Sequence, residues 1–287
     1  MATRRELLLG AGAGAVGLAL GGVAASPGVL GGHVGPLAGV SAQDLAIREA
    51  AGSTADPYGR PVRVGSRRVI WSTAPAGPYA AITFDDGPSP QFTPRILDAL
   101  ATAGVHATFY VVGYSAVRHA DLIQEIIAQG HEIGNHTWSH LDQTTLGAAE
   151  IRREIVRCKD EVEQLVQRPL AGFRPPRGEL TGYAVRVVAE LGYDVFLWSV
   201  TRGPSGTSTA AIVADYLAST VQAGDILDLH DGIGRGTFSP TASFAQALAA
   251  RREVEVRALP EALRRIADRG IRLTTAADLQ THSAPAD

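Results

Sequence analysis

Tyr79-Ala80-Ala81-Ile82-Thr83-Phe84-Asp85-Asp86-Gly87-Pro88 reads as an apolar strand that runs into two adjacent carboxylates and a turn. Asp-Gly-Pro is turn chemistry, so the strand stops there. Two carboxylates closing a buried apolar strand are costly unless they are paired or bind a metal. The stretch therefore predicts a core strand that delivers acidic side chains to its C-terminal end.

From Tyr79 onward, short apolar runs alternate with amphipathic ones. The runs predict strands over 80–84, 108–112, 132–134, 171–173, 195–198, 226–229 and 271–273. Between them the periodicity predicts helices over 94–103, 120–129, 148–166, 182–191, 210–222 and 259–269. Several of these end at a glycine, among them Gly104, Gly130 and Gly192, as helix C-termini often do. Alternating strands and helices imply an α/β fold with parallel strands covered by helices. About seven such units fit a (β/α) barrel, complete or not, or a doubly wound sheet. Upstream, Val62-Arg63-Val64 and Val69-Ile70-Trp71 flank Gly65-Ser66 and predict a short hairpin.

The chemistry-bearing residues stand at or just past predicted strand ends, where barrel enzymes build their sites. Asp85 and Asp86 follow Phe84, His136 follows Asn135, Arg174 follows Phe173 and His230 follows Leu229. His136 and His140 are four apart; on a helical turn both imidazoles would share a face and reach one ion. The same spacing is common between two surface histidines. One carboxylate joining two histidines gives the open ligand set of a catalytic site, and the second can act as a general base. Arg174 precedes Pro175-Pro176, a rigid pair that would fix its guanidinium against a carboxylate. His230 is a candidate general acid if a metal site lies near it, and otherwise a structural histidine.

The chain has 287 residues, 45% hydrophobic and 19% charged, with a net charge of -3. That suits a globular core and excludes the basic excess of a nucleic-acid binder. The single cysteine, Cys158, allows no intrachain disulfide. It shares a helical stripe with Ile151, Ile155, Val162 and Leu165, which predicts a core residue and not a reactive thiol. Arg4-Arg5 precedes a Gly/Ala-rich stretch that carries no Asp, Glu, Lys or Arg from Leu7 to Gln43. Residues 1–25 are thus expected to be a signal for the twin-arginine (Tat) export machinery, with cleavage after 25 or as late as 42. An uncleaved anchor is the alternative. Residues 26–75 are expected to be a linker and N-terminal extension, 76–280 the catalytic domain and 281–287 a tail. Oligomeric state is not legible.

Taken together, the segments 83–88, 136–140, 174–178, 198–200 and 227–231 resemble the polysaccharide deacetylase family, the carbohydrate esterases that carry the NodB homology domain. The similarity runs from Tyr79 to Leu279. It implies a distorted (β/α) barrel and a divalent metal, most often Zn2+. It implies Asp86, His136 and His140 as metal ligands, Asp85 as general base and Arg174 as the residue that orients Asp85. His230 would protonate the departing amine. The backbone N–H of Arg177 would hold the oxyanion, and Trp198 and Leu229 would line the acetyl pocket. The implied substrate is an acetylated polysaccharide of peptidoglycan or chitin type. O-acetyl ester hydrolysis on a xylan-type polymer and a catalytically silent carbohydrate-binding homologue are the alternatives.

Two positions depart from the family. Arg177 stands where many members have an aromatic residue. Thr201 stands where many have an aspartate that tunes the catalytic histidine. Asp228 is a candidate replacement, because residues two apart on a strand share a face. The Gly/Ser/Thr-rich segment 202–209 is expected to border the cleft.

Overall fold

The computed structural model describes residues 54–55, 61–62, 67–203, 209–234 and 242–283. The expected signal segment, its cleavage points, most of the linker and most of the 202–209 segment lie outside the described residues. The chain divides into two compact units, Met1–Val64 and Gly65–Asp287. In the first, β1 (Thr54–Ala55) pairs antiparallel with β2 (Pro61–Val62).

The second unit begins with β3 (Val69–Ile70), β4 (Tyr79–Asp85), α1 (Thr93–Ala103), β5 (Thr108–Val111), α2 (Gly113–Arg118) and α3 (Ala120–Ala128). It continues through β6 (Glu132–Asn135), α4 (Ala148–Val166), α5 (Gly182–Leu191), β7 (Val195–Phe196), β8 (Val200–Thr201) and α6 (Ala210–Thr220). It closes with β9 (Ile226–His230), α7 (Ser243–Asp268), β10 (Arg272–Thr274) and α8 (Ala276–Thr281). All ladders between these strands are parallel, in the order β6-β5-β4-β9-β8. β10 joins the first half of β4, and β5 joins the second half. Phe173 bridges Asn135 of β6 to Val195 of β7, which also carries β3. The Leu197 N–H donates to Ile70 O and the Ser199 N–H to Ile226 O, which carries the wall from β7 round to β8 and β9. The result is the expected distorted barrel, with β4 at its centre. From Ala80 to Asp85 that strand is buried on both faces, so its sequence is apolar almost throughout.

Helix edges follow local chemistry. The hydroxyls of Thr181, Thr209 and Thr275 accept from backbone N–H groups at the starts of α5, α6 and α8. α4 buries Ile151, Ile155, Cys158 and Val162 as its periodicity predicts, but at its C-terminal end Val166 is buried and the expected Leu165 only half-buried. Burying such aliphatic side chains contributes roughly 1.5–3 kcal/mol each. Burial pushes the Cys158 thiol up to about 12, so it is a core residue and an inert one.

Three expectations change. The predicted strand 171–173 shrinks to the single bridging residue Phe173. Gly172 sits at φ 127°, out of reach for a strand residue with a side chain, and Pro175-Pro176 beyond it have no N–H to donate. Val69-Ile70, expected in a hairpin, pairs in parallel with Val195-Phe196, and Val62 pairs with Thr54; residues 63–66 of the expected hairpin lie outside the described residues. α7 starts sixteen residues before the predicted 259, because Pro260, which reads as a helix start, lies inside it. The six-residue helices α2 and α8 are too short for periodicity to reveal.

Candidate metal centre and active-site cleft

Asp85 and Asp86 leave the end of β4 into a turn in which Asp86 adopts φ 80°. A Cβ on Gly87 would lie 2.0 Å from Asp231 Oδ2, so only glycine fits beside that carboxyl. Asp231 is itself tied to the Thr93 hydroxyl at 2.7 Å. Burial pushes its carboxyl up to about 7 against that hydrogen bond.

His136 and His140 converge with Asp86, but not through a helical turn as expected. The segment after β6 is irregular, with Thr137 at φ 68° and His140 at φ 55°. Side chains hold that shape. The Thr137 N–H donates to Asn135 Oδ1 at 2.9 Å, and the His140 N–H donates to the Thr137 hydroxyl at 3.1 Å. The Ser139 N–H and hydroxyl both donate to Glu154 on α4, at 2.8 and 2.9 Å.

His136 Nδ1–H donates to the Arg174 carbonyl at 2.8 Å, which directs Nε2 toward the carboxylates. His136 Nε2 lies 3.6 Å and His140 Nε2 3.0 Å from Asp86 Oδ1. One donor atom from each of Asp86, His136 and His140 falls within 4.8 Å of the others. Asp86 Oδ1 is buried and, apart from its approach to those imidazole nitrogens, has no hydrogen-bond partner among the described residues. An orphaned carboxylate oxygen facing two imidazole nitrogens is the two-nitrogen, one-oxygen set of an open divalent-metal site. The residues therefore fit the implied metal. Burial opposes the charge on Asp86, but His140, His136 and Arg252 hold its carboxyl well below the usual range. For His136, burial pulls downward and the Asp85 and Asp86 carboxylates win, raising it.

Asp85 Oδ2 lies 3.5 Å from His136 Nε2, and its Oδ1 accepts from Arg174 Nη1 at 2.8 Å. Arg174 is fully buried, and each of its three guanidinium nitrogens has a hydrogen-bond partner. Nη1 also donates to Asp228 Oδ1 at 3.0 Å and the Thr83 hydroxyl at 2.7 Å. Nε donates to Phe196 O and Nη2 to Leu197 O. The guanidinium lies 4.2 Å from the centroid of the Tyr110 ring. Burial disfavours its charge, but Asp85 and Asp228 raise its pKa further.

His230 ends β9 opposite Asp85 in the parallel register. Its Nδ1 lies 3.1 Å from Glu255 Oε2, and its Nε2 lies 3.9 Å from Asp228 Oδ2. Burial and Arg252 pull the imidazole down, yet Glu255 and Asp228 outweigh them and raise it to about 9. Burial and the Asp85 charge raise Asp228 to about 7, against His230 and Arg174.

These groups share one cavity of about 570 Å³. It is lined by Asp85, Asp86, His136, His140, Arg177, Trp198, Thr201, Asp228 and His230, and by Ile233, Phe244, Leu248 and Arg252. Arg177 sits at φ 59° in the turn after the diproline. Its guanidinium pairs with Asp142 and, at 3.2 Å, with Glu179, so its charge is balanced by neighbouring carboxylates.

Leu229 is not among the lining residues; it is buried in the core. Neighbours on a strand point to opposite faces, and Asp228 and His230 occupy the cleft face. Glu255, Arg252, Leu248 and Phe244 went unread. All lie on α7 at spacings of three or four, one helix face, a signal visible only once the helix extends upstream of Pro260.

Residues 73–196 match the polysaccharide deacetylase family. A peptidoglycan-N-acetylglucosamine deacetylase of Bacillus cereus is 34% identical over 166 residues, covering 57% of this chain and 78% of that protein. A chitooligosaccharide deacetylase of Sinorhizobium fredii is 34% identical over 205 residues, covering 71% of this chain and 92% of that protein. Among solved structures, a peptidoglycan N-acetylglucosamine deacetylase bound to a benzamide compound superposes with a TM-score of 0.65 at 25% identity, covering 74% of this chain and 92% of that one. A family 4 carbohydrate esterase from Streptomyces lividans, in complex with acetate, gives 0.58 at 25% identity, covering 74% of this chain and 99% of that one. With its fold, its metal-fitting triad and these relatives, the chain belongs to the polysaccharide deacetylase family of hydrolases.

Proposed function

We propose that the chain removes acetyl groups from N-acetylated sugars in a polysaccharide of peptidoglycan or chitin type. One observation supports this most: the Asp86–His136–His140 triad shares one cavity with an arginine-held carboxylate, Asp85, and an imidazole raised toward its charged form, His230. A divalent ion, Zn2+ by the family's habit, would be held by Asp86, His136 and His140 and would supply Lewis-acid polarisation of the amide carbonyl and a more acidic water.

Asp85 takes a proton from the attacking water as its oxygen bonds to the acetyl carbon. Arg174 holds Asp85 for that role through the 2.8 Å contact. The N–H of Arg177 would donate to the oxyanion. The carbon–nitrogen bond then breaks, His230 gives its proton to the sugar nitrogen, and acetate leaves with a free amine on the sugar. Trp198 contributes an aromatic wall to the cavity.

Acetate release from N-acetylglucosamine oligomers, with and without a chelator, tests the reading. Chelator-sensitive release supports it. Acetate released only from O-acetylated xylan redirects it to ester hydrolysis, and no release from any acetylated polymer by metal-loaded protein overturns it.

We further propose export through the Tat machinery, on the strength of Arg4-Arg5 and the uncharged stretch to Gln43. Loss of export when Arg4 and Arg5 both become Lys supports that; unchanged export refutes it. Among the described residues, no helix is long and apolar enough to cross a membrane.

A further inference from the structure

We propose that Glu255 is the positioning residue for His230, supplied by the long helix α7 and not by the strand end where Thr201 stands. The inference rests on reading His230 as the proton donor to the leaving group.

One oxygen, Glu255 Oε2, accepts from both the His230 Nδ1–H, at 3.1 Å, and the His230 backbone N–H, at 3.0 Å. Two bonds to the same residue fix where the ring starts and which way it turns. With Nδ1 committed, Nε2 is the nitrogen left to face the cleft and exchange a proton there. Asp228 cannot take this role. Its nearer approach is to Arg174, at 3.0 Å, and it lies on the Nε2 side of the imidazole at 3.9 Å.

Glu255 is only 2% exposed, so its charge needs partners. Arg252, one helical turn earlier, donates from Nη1 to Glu255 Oε1 at 3.1 Å. Arg202 Nε lies 3.8 Å from the same oxygen. Arg252 also donates from Nη2 to Asp86 Oδ2 at 3.0 Å and from Nε to Gly232 O at 2.9 Å. A single guanidinium thus joins the carboxylate behind His230 to the carboxylate of the metal triad. The charged groups facing His230 are Glu255 and Arg252 from α7 and Asp228 from its own strand, with Arg202 behind Glu255. Burial disfavours the Glu255 charge, but His230, Arg252 and Arg202 hold its carboxyl below the ordinary value.

The test compares wild type, Glu255→Gln and Glu255→Asp as full-length, metal-loaded proteins. Acetate release from N-acetylglucosamine oligomers is followed against pH, metal content is measured, and the His230 tautomer is read by nitrogen NMR. In Glu255→Gln, kcat falls roughly 10- to 100-fold, as for comparable orienting carboxylates, with KM and metal content little changed. The alkaline limb of the kcat profile moves about one unit lower, because a charge favouring the imidazolium is gone. Glu255→Asp recovers part of the loss. The neutral wild-type imidazole carries its proton on Nδ1, and that preference is lost in Glu255→Gln.

An unmoved alkaline limb and an unchanged tautomer in folded, metal-loaded Glu255→Gln overturn the inference. Should that variant fail to fold, the wild-type spectrum decides, and an Nε2–H neutral tautomer overturns the proposal. The NMR arm needs no substrate, so it decides the role of Glu255 even if no acetate is released and the proposed function falls.

Discussion

The metal side of the cleft and the acid side are assembled in different ways. Asp85, Asp86, His136 and His140 sit within two short segments at the ends of β4 and β6, each shaped by its own turn. His230 sits at the end of β9, but the groups around it come from elsewhere: Asp228 two residues back, and Glu255 and Arg252 from helix α7, the former 25 residues along the chain. A site built from strand ends is compact in sequence. A site braced by a helix face is compact only in space. Among the described residues, Arg174 and Arg252 are buried cations that join carboxylates across these sides. Arg174 joins Asp85 to Asp228, and Arg252 joins Asp86 to Glu255.

The largest expected effect separates base from metal. Asp85→Asn should lower the acetate-release rate on the order of 10²- to 10⁴-fold, while metal analysis finds the same content as wild type. Loss of metal together with activity would instead make Asp85 a ligand and collapse the distinction between the two carboxylates. Next, His230→Ala breaks the acid side alone. It should slow amide substrates far more than O-acetyl esters, because an alkoxide leaves more readily than an amine. Parallel assays on both substrate types check this, and equal losses would contradict the assignment.

Removing Arg174 tests whether the cross-link is structural as well. Arg174→Met leaves the Asp85 and Asp228 charges buried without their shared partner, and chemical denaturation should show about 3–5 kcal/mol lost. A loss under 1 kcal/mol would mean that the cleft is wetter than its burial indicates. The smallest effect concerns Asp228. His230 is raised to about 9, so its charged form dominates below that pH and activity fades as pH rises through it. Asp228→Asn removes one of the two carboxylates responsible and should shift that alkaline limb to lower pH, by less than Glu255→Gln does. An equal or larger shift would move the principal influence on His230 from α7 back to β9.

Much of this was legible in the sequence for a physical reason. Parallel strands buried on both faces are apolar runs, and β4, β5 and β9 stand out as such. Polar residues at their ends are then conspicuous, which is how Asp85, Asp86 and His230 are found, while Arg174 follows Phe173, a single bridging residue in the fold. What was missed follows from geometry that sequence does not display. His136 and His140 meet through left-handed residues at Thr137 and His140 themselves, not through helical periodicity. Leu229 was assigned to the cleft although Asp228, two residues from His230, shares its face. The upstream half of α7 is hidden by Pro260, so Arg252 and Glu255 read as ordinary charges on a polar segment. Thr201 pairs in register with Asp228, so the strand end that lacks the usual aspartate lies beside a carboxylate on the next strand.

The most direct test of the metal centre is anomalous diffraction at the zinc edge from crystals of the protein grown with zinc. The account predicts one strong peak about 2.0–2.2 Å from an imidazole nitrogen of His136, one of His140 and a carboxylate oxygen of Asp86. A peak elsewhere, or these three side chains turned away from a common point, would contradict it.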